Sequence, residues 1–139
     1  MYKHILLAAD GSDNAIRAAN EVVKLVSSMS DVTVQILFVV DPSKVKEEVL
    51  HSQNHEDIEF KRKQRLLPIQ EPFENAHISY RLTITNGDPG STIVEYAEQH
   101  QIELIVIGSR GLNTLQELVL GSVSHKVVKR AHCPVLIVK

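Results

Sequence analysis

The stretch Ile102-Glu103-Leu104-Ile105-Val106-Ile107 is almost wholly apolar and is closed by Gly108. A strand with one wet face alternates apolar and polar side chains, and this one does not. It fits a strand covered on both sides, the situation of a parallel sheet flanked by helices. Four other runs have strand character: residues 3–9 (KHILLAA), ending at Asp10-Gly11-Ser12; residues 32–40 (VTVQILFVV), ending at Asp41-Pro42; residues 78–85 (ISYRLTIT), which alternate; and the closing CPVLIVK. Helical segments separate them. From Asp13 the apolar positions Ala15, Ala19, Val22, Val26 and Met29 recur at intervals of three and four, with Ser12 or Asp13 as N-cap. Asn86-Gly87-Asp88-Pro89 reads as a turn into a helix reaching about His100, with Asp88 as cap and Pro89 as first helical residue. SVSHKVVKRA (122–131) is a further helix, opened by Gly121-Ser122 and ended by Lys129 and Arg130, cations that suit the C-terminal dipole. Strands alternating with helices predict an α/β fold in a single domain over 1–139, a doubly wound parallel sheet with right-handed crossovers.

Residues 43–76 are the exception. They are polar and weakly periodic, and Pro68 and Pro72 stand where a helix would run. Each proline removes a backbone donor and clashes with the preceding turn, so the expectation is a loop and then a helix broken or kinked near residue 67.

Composition excludes several classes of function. Net charge is -2 with both signs mixed along the chain, which makes no field for nucleic acid or an anionic membrane. Aromatic residues are 4% with no tryptophan, too few for single-strand stacking platforms. No run approaches the roughly 20 apolar residues of a membrane-spanning helix. The first apolar run stops at Asp10, unlike a signal peptide, so the expectation is a soluble, cytoplasmic protein. Cys133, the single cysteine, has no internal disulfide partner.

The segment that bears on function is GSRGLNTLQELVLGS, residues 108–122. Gly108 ends a buried strand, Gly111 follows three residues on, and Gly121-Ser122 opens a helix. Gly108 and Gly111 permit positive φ and remove side chains, which lets amide N–H groups approach an anion. At Gly121-Ser122 the first helical N–H groups lack partners and the dipole is positive, so phosphate oxygens can be held there, with the hydroxyls of Ser122 and Ser124 as further donors. The pattern is neither the Walker sequence nor the dinucleotide fingerprint. The same glycines would also serve as plain turns before an ordinary helix. Leu112, Leu115, Leu118, Val119 and Leu120 make the loop apolar, which suggests a short packed helix. The first turn, Ala9-Asp10-Gly11-Ser12, is the second element: Asp10 can accept hydrogen bonds from nucleotide hydroxyls. In a doubly wound sheet the two would meet where the strand order reverses.

At these residues the chain resembles the universal stress proteins of the UspA-like, single-domain kind, over essentially its whole length. The pattern G-x2-G-x9-G-S is matched by Gly108, Gly111, Gly121 and Ser122, together with the opening LLAADGS and closing CPVLIVK. The resemblance implies a five-stranded parallel sheet of order 3-2-1-4-5 and bound ATP, with magnesium or manganese held mainly by the phosphates. It implies that Asp10, within Ala9-Asp10-Gly11-Ser12, contacts the nucleoside and that backbone around Val39 meets adenine. Gly108, Ser109, Arg110, Gly111, Gly121, Ser122, Val123 and Ser124 would surround ribose and phosphates. It also implies a homodimer through the last strands, with Val135 and Ile137 at the interface.

ATP hydrolysis requires a positioned water and stabilisation of transition-state charge. Only Asp10, Asp41 and Arg110 stand at strand ends, and no catalytic pair emerges. The expectation is an ATP-binding regulatory or stress-response module, with a slow ATPase or nucleotidyl transferase and a nucleotide-free dimeric scaffold as alternatives. His51 and His55 have helical zinc spacing without a third ligand, and read as a solvated face. KRKQR at 61–65 reads as a solvated helix surface. Cys133 reads as a small buried side chain.

Overall fold

The computed structural model describes residues 1–10, 12–43, 54–109 and 120–139. Their elements are β1 (His4–Ala9), α1 (Asp13–Val26), β2 (Thr33–Val40), α2 (His55–Asn75), β3 (Tyr80–Asn86), α3 (Pro89–Gln99), β4 (Leu104–Gly108), α4 (Ser122–Arg130) and β5 (Val135–Val138). The strands form one sheet in the order β3-β2-β1-β4-β5, and every neighbouring pair is parallel. The order reverses beside β1, between β1 and β4.

Alternate residues of the central strands feed two cores. Ile5, Leu7, Val34, Ile36, Phe38, Leu104 and Val106 point to the face carrying α1 and α2, where Val22, Leu66, Ile69 and Phe73 meet them. Leu6, Leu37, Val39, Ile105 and Ile107 point to the face carrying α3 and α4, against Ile93, Ala97 and Val127. Each such side chain removed from water contributes about 1.5–3 kcal/mol, which is why β1 and β4, apolar on both sides, occupy the middle.

Three helix starts follow simple capping chemistry. Ser12 Oγ accepts from the Ala15 amide, Asn54 from Asp57 and Asp88 from Ser91, with Pro89 in the first turn. Ser12, not Asp13, is therefore the cap of α1.

The expected break near residue 67 is absent. α2 runs as one helix from His55 to Asn75 through both Pro68 and Pro72. Leu66, Ile69 and Phe73 are buried at intervals of three and four between the prolines and beyond them, and this stripe lies in the core shared with α1. Burial of that stripe offsets the local cost of the prolines, about 3 kcal/mol for each in a helix interior.

Candidate nucleotide site

At the carboxyl ends of β1, β2 and β4 lies a cleft of about 400 Å³. Register places its floor: Ala9 is level with Phe38, and Ala8 with Ile107, so the strands end together and Gly108 comes next. The position, beside the strand where the order reverses, is where open parallel sheets take ligands, and the volume lies within the range of small-molecule sites.

Of the residues singled out from the sequence, Ala9, Asp10, Ser12, Val39, Gly108, Gly121, Ser122, Val123 and Ser124 line this one cleft. Asp41, weighed there as a strand-end acid, lines it too. Ser109 does not: it is buried, and its amide donates to the Val138 carbonyl (2.8 Å), tying the end of β4 to β5. Gly11, Arg110, Gly111 and the apolar loop over 112–119 lie outside the described residues.

The positive φ expected at Gly108 is not found, whereas the missing side chain matters at both Gly108 and Gly121. Among the described glycines only Gly87 has φ in the left-handed region, at 151°. Gly108 is required by space. A Cβ there would stand 2.6 Å from both the carbonyl carbon and oxygen of Asn14, in the first turn of α1. Gly108 thus lets α1 start hard against the end of β4. Gly121 has φ -63° and ψ 163°, a conformation open to any residue, so its distinguishing property is the missing side chain.

That property has a chemical consequence. The other three helices carry a side-chain cap, whereas the N-cap of α4, Gly121, makes none. The first amides of a helix have no intrahelical acceptor. In α4 a Ser or Asp at 121 would satisfy one, and glycine does not. No acidic side chain occupies the first turn of α4, so the positive end of its dipole is unopposed there. Ser124, which is 2% exposed, turns its hydroxyl to the Gly108 carbonyl at 3.1 Å. This bond fixes α4 to the end of β4 and uses the hydroxyl that was expected to be a ligand donor.

The opposite end of the cleft is acidic. Asp10 Oδ1 accepts from the Ser12 amide at 3.0 Å, and Asp41 Oδ1 accepts from the amide and hydroxyl of Ser43 at 2.9 and 2.8 Å. Both carboxylates are thereby held by their own turns. The cleft is electrically polar: carboxylates beside β1 and β2, an uncapped helix start beside β4. An anion is favoured at one end, and hydroxyl or amine donors at the other.

The family model for universal stress proteins matches residues 1–139. The chain belongs to the universal stress protein family. Universal stress protein MJ0531 of Methanocaldococcus jannaschii is 32% identical, covering 100% of this chain and 83% of that protein. The solved structure of MJ0577, a universal stress protein of the same organism, is 31% identical, covers 100% of this chain and 96% of its own, and superposes with a TM-score of 0.81. A universal stress protein from Archaeoglobus fulgidus, solved in complex with dAMP, shares the fold at 22% identity and a TM-score of 0.72, covering 99% of this chain and 98% of its own. The expected family, and the expected strand order with helices on both faces, are found.

Some residues of the cleft escaped sequence reading. Phe38 and Val40 line the cleft from β2, Pro89 and Ile93 from α3, and Arg65 from α2. KRKQR was expected to be a solvated surface. Lys61 fits that description, paired with Asp57 at 3.3 Å on the helix exterior, but the Arg65 guanidinium lies over the Phe38 ring, 5.7 Å from its centroid. The signal that could have placed it was the apolar stripe beginning at Leu66, which sets the inward face of α2. Cys133 is half-buried, less than expected, and burial pushes its thiol pKa up. His51 lies outside the described residues. His55 pairs with Glu59 at 3.3 Å, and among the described residues no three His, Cys, Asp or Glu side chains cluster as a metal site.

Proposed function

We propose that the chain is an ATP-binding regulatory module of the cytoplasm, and that nucleotide occupancy is its signal. The observation that carries this reading is the uncapped start of α4 facing into the cleft, with carboxylates at the far end. The triphosphate lies against the amides of Ser122, Val123 and Ser124, where the helix dipole and free donors favour oxyanions. The nucleoside lies over Val39 and Ala9, and its ribose hydroxyls donate to Asp10. The dAMP complex of the Archaeoglobus fulgidus protein agrees with an adenine nucleotide as ligand in this fold. A divalent cation, magnesium or manganese, is held mainly by the phosphates, and its role is to screen phosphate charge. The module works as a homodimer through β5, a sheet edge whose exposed apolar residue is Leu136, at 41%, between the half-buried Val135 and Ile137. Pairing would cover that edge.

The test is ligand-dependent stability. A ligand at a hundred times its Kd stabilises the folded state by about 2.7 kcal/mol, so magnesium-ATP should raise the melting temperature of the protein. Gly121→Val should remove that rise and lower the unliganded melting temperature only slightly, because valine tolerates the backbone angles at 121 but is a poorer N-cap than glycine. An ATP-dependent rise retained in the folded variant would refute the phosphate assignment.

A further inference from the structure

The cleft contains a cation at its acidic end. Arg65 reaches it from α2, with its guanidinium carbon 5.7 Å from the centroid of the Phe38 ring. Phe38 is buried and fixed within β2, so it forms a firm backing for the guanidinium. The separation is within the reach of cation–π attraction, about 6 Å. β1 lies between β2 and β4, so the strand end carrying Phe38 is two strand spacings, about 10 Å, from Gly108. The anion-favouring start of α4 belongs to the Gly108 end. Arg65 instead lies over Phe38, at the end of β2, where the chain also contributes Val39, Val40 and Asp41 to the cleft lining. A guanidinium at this place is poorly sited for phosphate and well sited for a flat ring.

Resting on the nucleotide reading above, we propose that Arg65 is the stacking platform for the base, with its planar guanidinium held between the Phe38 ring and the purine. A guanidinium carries a delocalised plane that stacks on aromatic faces, which an ammonium lacks. Stacking uses the π face that every base has, so Arg65 adds affinity without choosing between purines. Discrimination between adenine and guanine is left to backbone at the base edge, around Val39.

The experiment measures ATP and GTP binding to the full chain by calorimetry across a range of salt concentrations, for the unsubstituted protein, Arg65→Ala and Arg65→Lys. Arg65 lines the cleft while remaining solvent-accessible, and both replacements are good helix formers, and far-UV circular dichroism checks the fold. R65A should weaken ATP about tenfold and GTP by the same factor. R65K should be as weak as R65A, because it keeps the charge and loses the plane. The salt dependence of ATP binding should be the same in all three proteins. Three results would overturn the proposal: full affinity in R65A, recovery in R65K, or a flatter salt dependence in R65A, the mark of a lost phosphate contact. Failure of the unsubstituted protein to bind ATP would instead sink the nucleotide reading itself.

Discussion

Where the strands begin, the chain returns from helix to strand through short turns, and three of these are closed by residues in the left-handed region: Asp31, His77 and Gln101, at φ 58°, 57° and 54°. At His77 and Gln101 the following amides, Ile78 and Ile102, donate back to Phe73 and Ala97 at 2.9 Å, so the last carbonyls of α2 and α3 are satisfied by backbone. Where the strands end, the connections carry the cleft, one helix is left uncapped, and Gly108 keeps β4 and α1 in contact. The first edge closes backbone on backbone, and the second leaves the first amides of α4 without a side-chain cap at the cleft. It follows that the two can be altered separately.

The largest expected effect lies on the ligand edge. Gly108→Ala places a Cβ 2.6 Å from Asn14 backbone, which must move. Overpacking of this kind costs about 1–3 kcal/mol, read as a lower urea midpoint, and ATP-dependent stabilisation should be lost as α1 and β4 separate. A variant of unchanged midpoint would show that the contact between the two elements is slack.

On the other edge, His77→Gly and Gln101→Gly relieve left-handed residues that bear a Cβ. The relief exceeds the added flexibility of glycine in the unfolded chain by about 0.5–1 kcal/mol, so each should raise the midpoint with ATP affinity unchanged. A shift in affinity would break the separation of the edges.

The smallest effect sharpens the comparison within the ligand edge, where Lys126 of α4 pairs with Asp88, the cap of α3, at 2.9 Å. The hydrogen bond from Lys126, and then that from the Ser91 amide, hold the Asp88 carboxyl at about 2, below its ordinary 3.8. A lowered carboxyl pKa stabilises fully above the unfolded value and loses that contribution as pH falls towards the folded one. Lys126→Met should therefore lower stability at about pH 5 and make the decline between about pH 4 and pH 2 shallower. Urea midpoints at both ends of that window test it, and parallel pH profiles would show that the pair contributes nothing, as is common for exposed ion pairs.

The strands were legible because burial on two faces leaves a mark in the chain itself: Ile102–Ile107 is apolar whatever its neighbours are. Ser12 and Asp88 were legible as caps because capping is local. α2 was not, since the resistance of its prolines to breaking the helix comes from Leu66, Ile69 and Phe73 meeting α1, a contact made by residues distant in sequence. Arg65 was hidden for a related reason. Five residues of helix sweep more than one turn, so KRKQR sends a side chain in every direction, and which one meets the cleft depends on how the helix docks. Gly108 was visible as a glycine at a strand end, but what requires glycine there, the backbone of Asn14, is nearly a hundred positions away in sequence.

The walls of the cleft come from β1, β2, α2, α3, β4 and α4, so no stretch of polypeptide that stops short of α4 has the whole of it. A nascent chain on the ribosome carries an open half-pocket until the residues after Gly121 have emerged and Ser124 has closed onto Gly108. Under the proposed reading, a nucleotide added during refolding should act as a template that rewards only molecules in which α4 has docked.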